Sequence, residues 1–266
     1  MGNVSIILFA QIIIKILGMV YRMVITNIDG FGDAGNGFYT AGFQVYTVLL
    51  AISSVGIPNA IAKLVSERAA LEDYRGAHRI FKSAFAMFAV IGAVFSILLY
   101  AGSDFVANTI IGIDGVKYVM RALSPSIFFV CVSSVIRGYF QGLNDMRATS
   151  RSQIYEQLFK CSLTILLVIL TVGTMPVAMQ WISRFALLYN GEITITPPEI
   201  MAAWANAASS IATALSFIYI VYFYFRQRSE FSDKIKKSTA PTIKSSTKKL
   251  LFSILTSISR RLSFDV

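Results

Sequence analysis

Charge is scarce in this chain. Asp, Glu, Lys and Arg make up 14% of its 266 residues, against about 25% in soluble globular domains. A soluble fold of this length needs a charged surface, and these charges are too few and too clustered to coat one. Histidine is nearly absent. His78 is the only one, so a Ser-His-Asp triad or a His-based metal site exists only if His78 serves it. It falls in a basic loop and is expected to be solvated. Cysteine is limited to Cys131 and Cys161, both inside apolar runs and without CxxC spacing, which reads as buried free thiols. No residue set has the spacing of a nucleophile with its base, a metal cluster or a nucleotide site. Neither enzyme activity nor a cofactor is expected.

What is present is apolar. Hydrophobic residues make up 55% of the chain, and the mean hydropathy is +0.64. A membrane crossing needs about 20 mostly apolar residues. Six segments meet this, at roughly 4–25, 38–58, 80–101, 122–140, 154–175 and 203–225. The fold class read from them is all-α, a polytopic membrane protein with a six-helix transmembrane bundle over 1–225. The N-terminus is read as a retained first span rather than a signal peptide. Met1-Gly2-Asn3 has no basic residue, and Lys15 interrupts the apolar stretch with no A-x-A site after it.

The net charge of +10 would point a soluble protein toward nucleic acid. Here the cations flank apolar segments, the pattern that sets membrane topology, and no nucleic-acid partner is expected. Loop 26–37 has no Lys or Arg, whereas loop 59–79 has Lys63, Arg68, Arg75 and Arg79. Loop 102–121 has Lys117 and Arg121, and stretch 141–153 has Arg147 and Arg151. Loop 176–202 has Arg184 alone, and a basic tail follows residue 225. Rich and poor loops alternate, which places both termini on the cytoplasmic side of the cell membrane. Residues 226–249 read as a basic cytoplasmic linker. Residues 250–266 read as an amphipathic helix or the start of a seventh span.

Motifs add detail. Gly30 to Gly37, with Asp33 and Asn36, reads as a tight reversal between two membrane helices. Gly56 and Pro58 close the second span. They mark either a plain helix end or a break of the kind found near transport pathways. The helix then resumes as an amphipathic piece from Ala60 to Arg68, expected at the cytoplasmic surface.

Ionisable residues inside spans face a cavity or a partner by default, because lipid makes them costly. Lys15 lies about 15 Å from either end of its helix by the α-helical rise. Arg22 follows two turns later on the same face. The pair would attract a phosphate or pyrophosphate in a watered cavity, although Arg22 is near enough to the helix end to snorkel. On the fifth span Gln153, Glu156, Gln157 and Lys160 form a polar stripe at i, i+3, i+4 and i+7. Glu156 and Lys160 are placed to pair. The stripe either lines the cytoplasmic mouth of a cavity or is interfacial, with Arg137 and Gln141 positioned to face it.

Three stretches together resemble a known family. They are Gly32-Asp33-Ala34-Gly35-Asn36-Gly37-Phe38-Tyr39, the run from Ser53 through Gly56-Ile57-Pro58, Lys63 to Arg68 and Asp73 to Arg79, and Arg137-Gly138-Tyr139-Phe140-Gln141-Gly142 with Ser152-Gln153 and Glu156-Gln157. Each is similar to the N-terminal half of polysaccharide transporters related to stage V sporulation protein B, in the multidrug/oligosaccharidyl-lipid/polysaccharide (MOP) flippase superfamily. The resemblance runs from about residue 5 to 225.

It implies two helical bundles around a central cavity that opens alternately to each side. It also implies movement of undecaprenyl-pyrophosphate-linked sugars, including peptidoglycan precursors, for polysaccharide and cell-wall biosynthesis. Cations on the first helix of lipid II flippases line that cavity, and the segment Lys15 to Arg22 is similar to the one that carries them, with one residue more between the cations. Family members are about twice as long, so a truncated or half-length member is expected, pairing with a second half-transporter or with itself. Two other readings remain open: a multidrug or cation exporter of the same superfamily, and a non-transporting membrane partner or inactive fragment.

Overall fold

Long apolar runs with few breakers favour helix, since a backbone in lipid must satisfy its own hydrogen bonds. The computed structural model describes residues 3–28, 31–54, 56–189 and 197–237, and these form seven helices in chain order. They are α1 (Asn3–Thr26), α2 (Gly32–Ser54), α3 (Ile57–Ala70), α4 (Tyr74–Phe105), α5 (Val116–Gly142), α6 (Met146–Tyr189) and α7 (Pro197–Lys237). A π-helical stretch, Val106–Ile111, extends α4. The chain is a multi-pass membrane protein. Among the described residues, five stretches are long and apolar enough to cross a membrane: Leu8–Thr26, Tyr74–Ile111, Val116–Gly142, Met146–Thr171 and Pro198–Gln227. Helix α2 is long enough as well, with 23 residues, but it carries Asp33, Asn36 and Gln44 among its apolar residues.

Several boundaries differ from the hydropathy reading. The expected reversal at 30–37 is mostly helix, because α2 begins at Gly32 and Gly35 packs on the Phe31 ring. The 102–121 connection is helical as far as Ile111. It ends at Gly112, whose φ of +74° suits a residue without a Cβ. Helix α7 continues to Lys237, through the first half of the stretch expected as a linker. The rest of that stretch and residues 250–266 lie outside the described residues. His78 is not in a loop. It sits on α4 with its ring 5.9 Å from Phe81 and 6.3 Å from Tyr139.

Helix α5 is the centre of the bundle, touching α2, α3, α4 and α7, and every residue from Cys131 to Phe140 is buried. In lipid an apolar surface gains little by turning inward, so close packing and hydrogen bonds must hold such helices together. Glycine supplies the close packing. A Cβ on Gly138 would lie 2.7 Å from the Pro58 carbonyl oxygen, and one on Gly142 would lie 2.8 Å from that of Ala62. The two glycines, four residues apart, bring the α3 backbone directly onto α5. The break at Gly56, with Pro58 in the first turn of α3, is what turns α3 into this position.

Hydroxyls supply the hydrogen bonds. Pro125, inside α5, lacks the N–H that would reach the preceding turn. Ser124 Oγ donates to the freed Arg121 carbonyl at 2.9 Å, and Ser210 Oγ of α7 donates to the Ala122 carbonyl at 2.6 Å. The polar turn between α3 and α4 is closed by Asp73, which accepts from the Gly76 N–H at 2.8 Å and pairs with Arg68 at 3.4 Å.

Replacing Gly138 by Val should lower stability by about 1–3 kcal/mol, as overpacking of a tight contact does. Gly102, where nothing lies within 4 Å of an added Cβ, should accept Ala with no loss. Thermal unfolding of the two detergent-solubilised variants checks the contrast.

Candidate functional site

The bundle has two separate apolar clusters. Along α5 one runs from Val116 to Cys131 and the other from Val135 to Phe140. A cavity of about 280 Å³ opens where they meet, lined by parts of α1, α2, α5, α6 and α7. Its polar lining includes Gln11, Tyr46, Ser126, Arg137, Gln153, Glu156, Gln157, Lys160, Ser209 and Thr213.

Arg137 organises one side. Its side chain is 9% exposed. Its guanidinium donates to Glu156 Oε2 at 2.6 Å, to Ser152 Oγ at 3.1 Å and to Ser216 Oγ at 3.1 Å. One residue therefore joins α5, α6 and α7. Ser216 Oγ also donates to the Ser152 carbonyl at 2.9 Å, which closes the network. The opposite side is made by Gln11 Nε2, which donates to Gln153 Oε1 at 3.1 Å and ties α1 to α6. Above them Tyr46 shares a 2.9 Å hydrogen bond with Ser126, which also accepts from Thr213 at 3.3 Å.

The stripe expected on the fifth span thus faces inward, with Gln153, Glu156, Gln157 and Lys160 all lining the cavity. The expected pairing of Glu156 with Lys160 is not what forms. Glu156 turns to Arg137, and the Lys160 ammonium lies over the rings of Phe43 and Tyr21, 4.8 and 5.8 Å from their centroids. A guanidinium fork can satisfy the carboxylate and two hydroxyls together, which an ammonium on the same helix cannot. Gln141 lies one turn beyond Arg137 and is not among the lining residues. Gly56 and Pro58 sit at the α3 start, against α5, and do not line the cavity either.

Lys15 and Arg22 occupy a different place. Both are exposed on α1, outside this cavity, while Gln11 and Ile14 are the α1 residues that line it. Arg22 donates to Thr40 Oγ1 at 2.8 Å and to Asn36 Oδ1 at 3.3 Å, and lies 5.7 Å from the Tyr39 ring centroid. Lys15 sits among exposed apolar neighbours such as Ile12, Ile16 and Met19. The hydroxyl lining from α7 was not singled out in the sequence. The signal for it is the spacing Ser209, Thr213, Ser216, which places three hydroxyls on one helical face.

The helical fold corresponds to about half of a MOP-superfamily transporter fold. A MATE transporter in complex with MaD3S superposes with a TM-score of 0.72 at 14% identity, over 97% of this chain and 52% of the other. An outward-facing multidrug resistance MATE transporter of the MOP superfamily gives 0.71 at 13% identity, over 99% and 53%. These likenesses concern the fold. The chain belongs to the polysaccharide biosynthesis protein family, which it matches over residues 1–263.

Among curated proteins it is similar to the lipid II flippase MurJ of Bacillus subtilis, 27% identical over 90% of this chain and 42% of that protein. It is also similar to stage V sporulation protein B of the same organism, 28% identical over 69% of this chain and 34% of that protein. The chain thus spans less than half the length of these curated relatives.

Breaking one partner of a buried ion pair costs more than removing both, because the survivor keeps its desolvation cost. Glu156→Gln alone should destabilise the lobe by about 3 kcal/mol. The double variant Arg137→Gln, Glu156→Gln should recover part of that loss. A double-mutant cycle on unfolding midpoints measures it.

Proposed function

We propose that the chain is one lobe of a flippase that moves lipid-linked sugar pyrophosphates from the inner to the outer leaflet of the cell membrane. The observation that carries this reading is the position of Lys15. It lies mid-span on the outer face of α1, in a setting where lipid would make an ammonium costly, and the lobe's own cavity does not receive it. Such a cation needs a watered cleft against a second lobe. Arg22, on the same face, extends the positive strip toward the helix end. Together they offer two charge-assisted contacts to a pyrophosphate, while the polyprenyl tail stays in the bilayer.

Alternating access follows from rocking of this lobe against a second one. Arg137, Gln141, Gln153, Glu156 and Lys160 are assigned to forming or gating the mouth on the cytoplasmic side. The assignment of sugar-pyrophosphate cargo draws on the named activity of one relative, a lipid II flippase. Export of cationic drugs would call for an uncommitted carboxylate in the cavity, and Glu156 is already held by Arg137.

Lys15→Ala should weaken binding of an undecaprenyl-pyrophosphate sugar by about 10-fold or more, the worth of one charge-assisted contact. Native mass spectrometry of the purified chain with that lipid reads this. Unchanged affinity in correctly inserted Lys15→Ala would sink the assignment.

The topology proposed with it places both termini in the cytoplasm. A Cys introduced at Asp114 should then react with an impermeant maleimide in intact cells, and one at Arg75 should react only after permeabilisation. The reverse pattern would overturn the orientation.

A further inference from the structure

The lobe cavity carries one positive charge more than its lining neutralises. Arg137 and Glu156 cancel each other at 2.6 Å. Lys160 is left over, with no carboxylate within ion-pair distance among the described residues. Its contacts with Phe43 and Tyr21 spread the charge over two ring faces but bring no counter-charge. Lys160 is half-buried in this cavity, and a cation in a membrane-embedded bundle without a counter-ion is disfavoured.

A second feature points to the same space. Ser209 lines the cavity, is 5% exposed, and its hydroxyl is near the Tyr39 hydroxyl but makes no well-formed hydrogen bond. Lys160 on α6, without a counter-ion, and Ser209 on α7, without a well-formed hydrogen bond, thus line a single cavity.

We infer that the cavity inside this lobe holds a small monovalent anion between Lys160 and Ser209. One surplus positive charge calls for one negative charge. The volume of about 280 Å³ holds a halide with several waters, each taking roughly 30 Å³, and is too small for a sugar pyrophosphate. The site is separate from the outer face of α1, so it does not depend on the cargo assigned above. Chloride is the abundant anion of the right charge and size.

The experiment is thermal unfolding of the purified full chain in sodium chloride, titrated against sodium gluconate at constant ionic strength. Wild type should gain a saturable rise of about 2–4 °C once chloride exceeds its dissociation constant about fivefold. Lys160→Met should lose the rise, Lys160→Arg should keep it, and Lys15→Met should keep it whatever happens to lipid binding. Bromide should substitute for chloride. A flat response in wild type, the same rise in Lys160→Met, or an equal rise in gluconate would each overturn the site.

Discussion

A cation buried where three helices meet has to be satisfied there, and Arg137 sets that condition for this bundle. Its side chain is largely buried, and its guanidinium presents donors in a rigid plane. Glu156, Ser152 and Ser216 meet those donors at 2.6 to 3.1 Å. The cost of misplacing any of them fixes the rotation of α6 and α7 about α5. Once α6 is fixed by Glu156, its neighbours Gln153, Gln157 and Lys160 must also face inward. The cavity is therefore a consequence of the ion pair as much as of its own lining.

Close backbone packing does the rest. Gly138 immediately follows Arg137, and with Gly142 it seats α3 on the side of α5 away from the ion pair. The motif from Arg137 to Gly142 thus encodes two neighbouring requirements, a polar tie to α6 and α7 and a bare backbone for α3. Pro125 shows the complementary solution. The proline frees the Arg121 carbonyl, which the Ser124 hydroxyl takes up, and one residue on Ser210 donates to the Ala122 carbonyl, so the turn at Pro125 becomes a joint between α5 and α7.

Two electrostatic regions result, and they differ in what can satisfy them. Inside the lobe, Arg137 has its carboxylate, and Lys160 lies over aromatic faces with no carboxylate at ion-pair distance among the described residues. Outside it, Lys15 and Arg22 lie on a face of α1 that the lobe leaves uncovered.

The sequence by itself determined the all-helical membrane class, because apolar runs of spanning length leave the backbone no other way to satisfy its hydrogen bonds. It also marked the charged and polar positions inside the spans. Lys15 is conspicuous in an apolar run, and the polar stripe of α6 follows from a spacing that any helix imposes. The glycine and proline at the end of the second span marked either a helix end or a break, without choosing between them. Helix ends were less legible, since hydropathy records where lipid stops and helices such as α6 and α7 continue past it. Tertiary structure alone decided which polar residues meet. Glu156 had two cations within plausible reach, one four residues along its own helix and one 19 residues away on α5. Only the packing of α5 against α6 and α7 brings Ser152 and Ser216 to the second and leaves Lys160 over Phe43 and Tyr21. Spacing along a helix sets which face a side chain shares, and the neighbours that fill that face come from distant parts of the chain.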